Sequence, residues 1–356
     1  MRWQLSEEQE AYRETFAGWL ADVAPSDVVR RWLDAGDARP FADCFVRDGW
    51  SGVGLPESVG GQGGGLVELA LTTELLATAC APSASWLATS LAAPALAPGP
   101  DVAAALDGEP VALLCPADVV PGDGPRLTLD GEGRLHGAVR RVLAGDVATR
   151  FVAVVDGPDG TPSLRLVPAG DGVRVVARRL LDRSRSVADV VVDDAVSEPL
   201  DVDAPAFLAG CAARAAVLVA ADSLGAMTRM LELAVEYSKQ RRQFGVPIGS
   251  FQAVKHAAAT ILVEAEAARS AVYFAAASVD AGGPQSDLHA AAVKAQVTAT
   301  GSRVADSALT LHGAIGYTWE HDLQLFYKRA KLDEYLYGRP ATWNERIADG
   351  LALTSV

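Results

Sequence analysis

Three short stretches in the last third of the chain concentrate residue types that do chemistry. The first is Tyr237-Ser238-Lys239-Gln240-Arg241-Arg242-Gln243-Phe244-Gly245-Val246-Pro247-Ile248, followed by Phe251-Gln252. Paired arginines beside an aromatic side chain at a helix end can hold a diphosphate and stack an adenine. They equally suit an ordinary helix C-terminus, where positive charge meets the helix dipole. The second stretch, His312-Gly313-Ala314-Ile315-Gly316-Tyr317-Thr318, is built of small residues that let a ligand or another chain approach the backbone, as a plain interhelical turn also would. The third, Lys331-Leu332-Asp333-Glu334-Tyr335-Leu336-Tyr337-Gly338-Arg339-Pro340, crowds polar and aromatic residues into one segment, and a helix cap has a similar look.

The elements that position these stretches follow from changes of texture along the chain. Ser6 and Gln9 have capping-box spacing, and Tyr12, Phe16, Trp19, Leu20 and Val23 recur behind them at helical intervals. A glycine-rich loop, Gly49-Trp50-Ser51-Gly52 through Gly63-Gly64-Gly65, separates these helices from an Ala/Leu/Thr-rich helical stretch broken around Pro82. Between about residues 108 and 200 short β-type runs take over, among them Val111-Ala112-Leu113-Leu114, Phe151-Val152-Ala153-Val154-Val155 and Val190-Val191-Val192. Turns such as Asp156-Gly157-Pro158-Asp159-Gly160 divide them. Long Ala-rich, proline-poor segments at about 207–241, 251–281 and 284–311 then predict a helical bundle. The expected class is a multidomain α+β protein: an N-terminal helical domain over 1–107, a middle antiparallel β-barrel or sandwich over 108–203, and a helical bundle over 204–356.

Composition narrows the partners. Lys plus Arg number 31 against 45 Asp plus Glu, a net charge of −14, which disfavours nucleic acid and anionic membranes. The start Met1-Arg2-Trp3-Gln4 runs straight into acidic residues, with no apolar stretch of a secretory signal. Arg214 and Asp222 interrupt the most apolar run, so no membrane span is expected. Cys44, Cys80, Cys115 and Cys211 lie far apart, and the five histidines show no HExxH spacing, so a reduced, cytoplasmic chain without a metal site is expected.

Taken together and in order, Leu5-Ser6-Glu7-Glu8-Gln9, the Gly49-to-Gly63 loop with Leu55-Pro56-Glu57, the Arg241-to-Gln252 segment and His312-Gly313-Ala314-Ile315-Gly316-Tyr317 resemble the acyl-CoA dehydrogenase family over essentially the full length. The resemblance implies that family's fold, with a C-terminal four-helix bundle, an FAD cofactor, an acyl-CoA substrate, an electron-transfer flavoprotein-type acceptor, and oligomers formed by pairing bundles. It places Arg241, Gln243, Phe244, Gln252, His312, Gly313, Ala314 and Gly316 against the ADP portion of an FAD seated mainly in the neighbouring subunit.

In that family a glutamate takes the α-proton of the thioester while the β-hydrogen leaves as hydride to the flavin. Here the motif count puts Tyr337 where that glutamate belongs, and Ala215 at the alternative position on the first bundle helix. A tyrosine, titrating near pH ~10, is a poor base at neutral pH. The two segments that grip the flavin ring in the family read instead Cys115-Pro116-Ala117-Asp118-Val119-Val120-Pro121-Gly122-Asp123 and Arg140-Arg141-Val142-Leu143-Ala144-Gly145-Asp146. The resemblance therefore implies the non-catalytic member of a heteromeric α2β2 dehydrogenase, of the kind used in bacterial degradation of steroid side chains, paired with a homologous catalytic subunit. Two alternatives stand beside it. One is a self-sufficient homo-oligomer with a relocated base, for which Glu334 is the fallback candidate and Asp333 and Glu320 are neighbours; the other is a flavin-free scaffold.

Overall fold

The structure, a computed structural model, describes residues 4–157 and 160–351. Pro158 and Asp159 of the expected β-turn, and Met1, Arg2 and Trp3 of the amino-terminal reading, lie outside the described residues. The chain begins with helices α1 (Glu7–Val23), α2 (Ser26–Ala35), α3 (Arg39–Arg47), α4 (Leu66–Thr78), α5 (Ala84–Ala92) and α6 (Pro100–Leu106). The capping box forms as its spacing predicts: Gln9 N donates to Ser6 Oγ at 3.2 Å and Ser6 N to Gln9 Oε1 at 3.0 Å. Behind it Phe16 is fully buried among Trp19, Phe45 and Trp50, whose rings are the main packing of α1 on α3. In the glycine-rich loop a Cβ on Gly61 would sit 2.2 Å from Leu55 O, so the close backbone approach there demands glycine.

The middle region is two stacked sheets. Strands β1 (Val111–Leu113), β2 (Thr128–Leu129), β3 (Leu135–Leu143), β4 (Arg150–Asp156), β5 (Pro162–Pro168), β6 (Val173–Arg178), β7 (Val187–Ala195) and β8 (Glu198–Leu200) pair in the orders β1-β4-β5-β8 and β2-β3-β7-β6. Pairing is antiparallel except between β1 and β4, which run parallel. That exception has a topological cause: β2 and β3 in the other sheet intervene between them, a crossover long enough to bring β4 back in the same direction. Strand β3 is irregular, with register shifts around Leu135/Gly137 and Val139/Val142, and Arg141 sits in the second irregularity at φ 53°.

The remainder is helical apart from one small hairpin. Helix α7 (Ala204–Gln240) leads into strands β9 (Arg242–Gln243) and β10 (Val246–Pro247), then α8 (Gln252–Asp280), α9 (Ser286–His312), α10 (Leu323–Asp333) and α11 (Pro340–Gly350). Asp203 caps α7 by accepting from Ala206 N at 2.9 Å. By length and composition α7 is apolar enough to cross a bilayer, yet about 67% of its most apolar window is buried inside the protein. Small residues let neighbours pack close to it. A Cβ on Gly225 would meet Glu74 O of α4 at 2.1 Å, and one on Gly301 of α9 would meet Ser223 Oγ at 2.1 Å. The N-terminal helices are tied to the bundle by polar contacts as well. Asp280 accepts from Leu66 N and Val67 N at the start of α4, and buried Glu74 accepts from Arg269 and Tyr273 of α8.

Candidate functional site

Two of the three chemically dense stretches meet at one end of the bundle. Helix α7 ends at Gln240, close to the end of the segment expected at about 207–241, where the chain turns into the β9–β10 hairpin. The hairpin turn is Phe244-Gly245, both left-handed at φ 51° and 82°, the two-residue geometry that matches strand twist. Phenylalanine has no intrinsic liking for that region, and its ring is 92% exposed, touching Phe251 edge-on at 6.1 Å. Arg241, Arg242, Gln243 and Gln252 are all exposed, and neither arginine has a carboxylate partner among the described residues. The segment thus sets a solvent-facing aromatic in a strained conformation beside two guanidinium groups without a carboxylate partner, the donor set that suits a flat anion.

The His312 turn lies against the same helix end. The His312 ring stacks on Tyr237 of α7 at 4.9 Å and meets His321 edge-on at 4.7 Å. His312 Nδ1 donates to Ala308 O at 2.7 Å, and burial pushes the imidazole down from its ordinary pKa, so the ring is neutral. Gly313 follows at φ 63° with open space where a side chain would be, and Ala314 is exposed beside it. Gly316 is buried instead, where a Cβ would meet Leu309 Cδ1 at 2.8 Å. Its smallness serves packing rather than access.

The third stretch lies elsewhere, facing the β-domain. Tyr337 is 4% exposed at φ 51°, and its N–H donates to Ala117 O at 2.6 Å. Burial, then Cys115 and Cys211 nearby, push its phenol far above its ordinary pKa, so it is no base. Gly338 approaches Val120, where a Cβ would come within 2.7 Å, and Arg346 pairs with Asp123 at 2.6 Å. The two β-domain segments are also joined to each other: Arg141 Nη2 donates to both Asp118 oxygens at 2.7–2.8 Å, and Ala117 N donates to Arg141 O at 2.9 Å. The base-position loop and both segments assigned to the flavin ring are thus in direct hydrogen-bonded contact. Ala215 is fully buried, and beside it Arg214, pushed down by burial, donates to Ser90 O of α5 at 3.3 Å.

A buried polar cluster under this junction escaped the sequence reading. Arg329 of α10 is 0% exposed and donates to Asp222 of α7, Ala81 O, Ser83 and Ser184. Arg185 of the β6–β7 loop donates to Ser83 and to the same Asp222. Burial alone would raise Asp222, but the Arg185 and Arg329 guanidinium groups hold it below its usual range. Asp333 is also fully buried, and burial together with the Asp222 carboxylate pushes its carboxyl well above the ordinary range. Lys294 of α9, likewise fully buried, donates to Asp333 O at 3.1 Å and Gly338 O at 2.9 Å, clamping both ends of the Tyr337 loop. Burial pushes its pKa down to about 7. The available signal was Asp222, a charged residue inside the apolar run of α7 that had to find a buried partner; Arg329, between Lys328 and Lys331 in α10, carries no such mark.

These surroundings bear on the fallback bases. Asp333 is fully buried beside Asp222, enclosed where no substrate proton reaches it. Glu320 is held below its ordinary range by its own backbone N–H and the Thr318 hydroxyl, which makes it a weaker base. Glu334 stands half-buried at the end of α10. Asp130, His136 and Asp194 do bring ligand-type atoms within 4.8 Å of one another on the exposed β-domain edge. Asp193 and Asp130 bond the two His136 nitrogens and raise its pKa, the pattern of a bridged imidazolium.

FAD, which the resemblance implies, fits the two ends differently. The hairpin and the His312 turn offer an exposed aromatic face, unpaired arginines and an open glycine to a nucleotide held from outside. The β-domain face does not fit a ring, since the 2.6 Å contact of Tyr337 N with Ala117 O joins the surfaces that would flank it.

Comparison with known proteins converges on one family. Residues 6–99 match the acyl-CoA dehydrogenase N-terminal domain and residues 209–352 the C-terminal domain. The chain is 32% identical over 350 residues to acyl-CoA dehydrogenase IpdE2 of Mycolicibacterium smegmatis, covering 96% of this chain and 98% of that protein. It is 33% identical to acyl-CoA dehydrogenase FadE34 of Mycobacterium tuberculosis, covering 96% of this chain but 48% of that protein. Among solved structures it superposes on the Tcur3481-Tcur3483 steroid ACAD with TM-score 0.86 at 26% identity, covering 97% and 98% of the two chains. On the ChsE4-ChsE5 complex from Mycobacterium tuberculosis the TM-score is 0.88 at 25% identity, with both chains fully covered.

Proposed function

The chain belongs to the acyl-CoA dehydrogenase family, and from that premise we propose that it is the subunit of a hetero-oligomeric dehydrogenase that lacks the base and lends the nucleotide-side contacts. Its partner is a homologous subunit that carries the glutamate and the ring pocket, most simply as α2β2. The pair desaturates a CoA thioester with a bulky, steroid-type acyl group and passes electrons to an electron-transfer flavoprotein-type acceptor in the cytoplasm. FAD, when bound, would supply the hydride acceptor; of this chain's residues Arg241 would hold its diphosphate and Phe244 its adenine, with Gln243, Gln252 and the His312-Gly313-Ala314 turn beside them.

The observation that carries this reading is the Tyr337 N–H to Ala117 O bond, which joins the base loop to a ring segment and leaves the hairpin as the exposed, unmatched surface. Two similar solved structures support it by what they are: a steroid ACAD of Tcur3481 with Tcur3483, and a complex of ChsE4 with ChsE5. Co-expression with the homologous partner, followed by counting flavins per chain, is the test. One FAD per two chains is the expected result, with the chain alone colourless. A lone chain that purifies yellow and bleaches with an acyl-CoA would overturn the proposal.

A further inference from the structure

A concave surface lies away from the hairpin, bordering the junction at Asp146 and Arg185. A cleft of about 1160 Å³ opens where the α2–α3 corner, the β6–β7 loop and the start of α10 meet. That exceeds the ~300–1,000 Å³ typical of ligand pockets. Its apolar wall is made by Trp32, Leu33, Leu180, Leu181, Trp319 and Leu325. Leu181 is 84% exposed and Trp319 61%, so apolar surface is left unburied inside a hollow, not on a flat face. Trp319 is itself braced, with Lys328 Nζ 3.8 Å and the Arg183 guanidinium 5.1 Å from its ring centre.

The charges in the wall restrict the occupant further. Arginines 30, 39, 178, 183 and 185 are matched to Asp322, Asp37, Asp189, Asp34 and Asp222 respectively. Arg179 and Asp146 also line the cleft, and neither has an ion-pair partner among the described residues, nor does a salt bridge join them. An apolar hollow with two indoles, one free cation and one free carboxylate calls for a rigid apolar body carrying an acid group and a hydroxyl.

We propose that this cleft binds a polycyclic hydroxy acid of the cholate type, with its carboxylate on Arg179, a hydroxyl donating to Asp146 and its ring faces against Trp32 and Trp319. This goes beyond the proposed function, since the ligand is a free acid and the cleft is separate from the nucleotide contacts. Sodium cholate, kept below its micellar concentration, is titrated into the co-expressed complex and followed by calorimetry and tryptophan fluorescence. The expected result is saturable binding of one cholate per copy of this chain, weakened about tenfold or more by Arg179→Glu and by the methyl ester of the probe. Leu181→Asp, at an equally exposed position, weakens binding to a similar degree, and circular dichroism of both variants checks that the fold persists. Absence of saturable binding overturns the proposal, as does an affinity indifferent to both Arg179→Glu and esterification. Binding by the lone chain that vanishes in the complex also overturns it, and assigns the cleft to the partner subunit. Flavin content of the same complex reports on the proposed function separately, so the failure of one is told apart from the failure of the other.

Discussion

The hairpin end of the bundle and the β-domain junction are built from similar materials, arginines, glycines, aromatics and left-handed residues, with opposite results. At the junction, Arg329 and Arg185 are buried and share Asp222, Gly338 is packed against Val120, and left-handed Tyr337 has its N–H satisfied by Ala117 O. At the hairpin, Arg241 and Arg242 are exposed without a carboxylate, Gly313 faces open space, and left-handed Phe244 points to solvent. The same strained conformation is over-determined by packing in one place and unsupported in the other. A closed surface has its chemistry spent on holding the fold, whereas an open one keeps its chemistry for a second molecule.

The sharpest way to break this contrast is Arg329→Ala, which strands Asp222 in the interior with half its compensation. A loss of about 3–5 kcal/mol is expected, read as a lowered denaturation midpoint, and a change under 1 kcal/mol would mean the junction is not the closed end. Lys294 gives a pH signature of the same region. Its folded pKa of about 7 lies below the ordinary 10.5, so the folded state binds fewer protons than the unfolded state between those values. Its cost to stability is therefore fully present below pH 7 and relieved as pH rises towards 10.5. The wild type should gain stability relative to Lys294→Met at up to about 1.4 kcal/mol per pH unit across that window. A flat difference between the two proteins would show that Lys294 does not titrate there.

The hairpin end should respond in a different measurement. Arg241→Ala leaves the melting of the lone chain nearly unchanged but weakens FAD retention by the co-expressed complex about tenfold, seen in a flavin dissociation titration. Phe244→Gly is the smallest and most diagnostic change. Relief of the left-handed strain should stabilise the lone chain by about 1 kcal/mol, while the complex holds its flavin less tightly. If both properties improved together, the ring would have no ligand to meet.

Which parts were legible in the sequence depended on how local the causes were. The Ser6–Gln9 cap, the order of helical, β and helical regions, and the long bundle helices all rest on spacings of a few residues, and the structure has them. The Arg241–Gln252 and His312 motifs were legible as separate stretches, and the Tyr237–His312 stack that unites them was not. The hairpin falls between the helical segments expected at about 207–241 and 251–281 and went unseen because Phe-Gly is not a turn pair that propensity favours. Strand β3 went unseen because its bulges break the alternation that marks a strand. The cluster of Ser83, Arg185, Asp222, Arg329 and Asp333 joins positions up to 250 residues apart, and only the packed fold can assemble it.

Helix α7 links these two ends without a break. Its 37 residues make a strut about 55 Å long, capped by Asp203 where it leaves the β-domain and delivering Arg241 at the far end. Asp222, gripped by two arginines, sits near mid-span, so the grip lies roughly 28 Å from the hairpin it aims. A small tilt allowed at that pivot would swing the hairpin by a larger displacement, and an incoming subunit would find its target off-axis with every contact residue still in place.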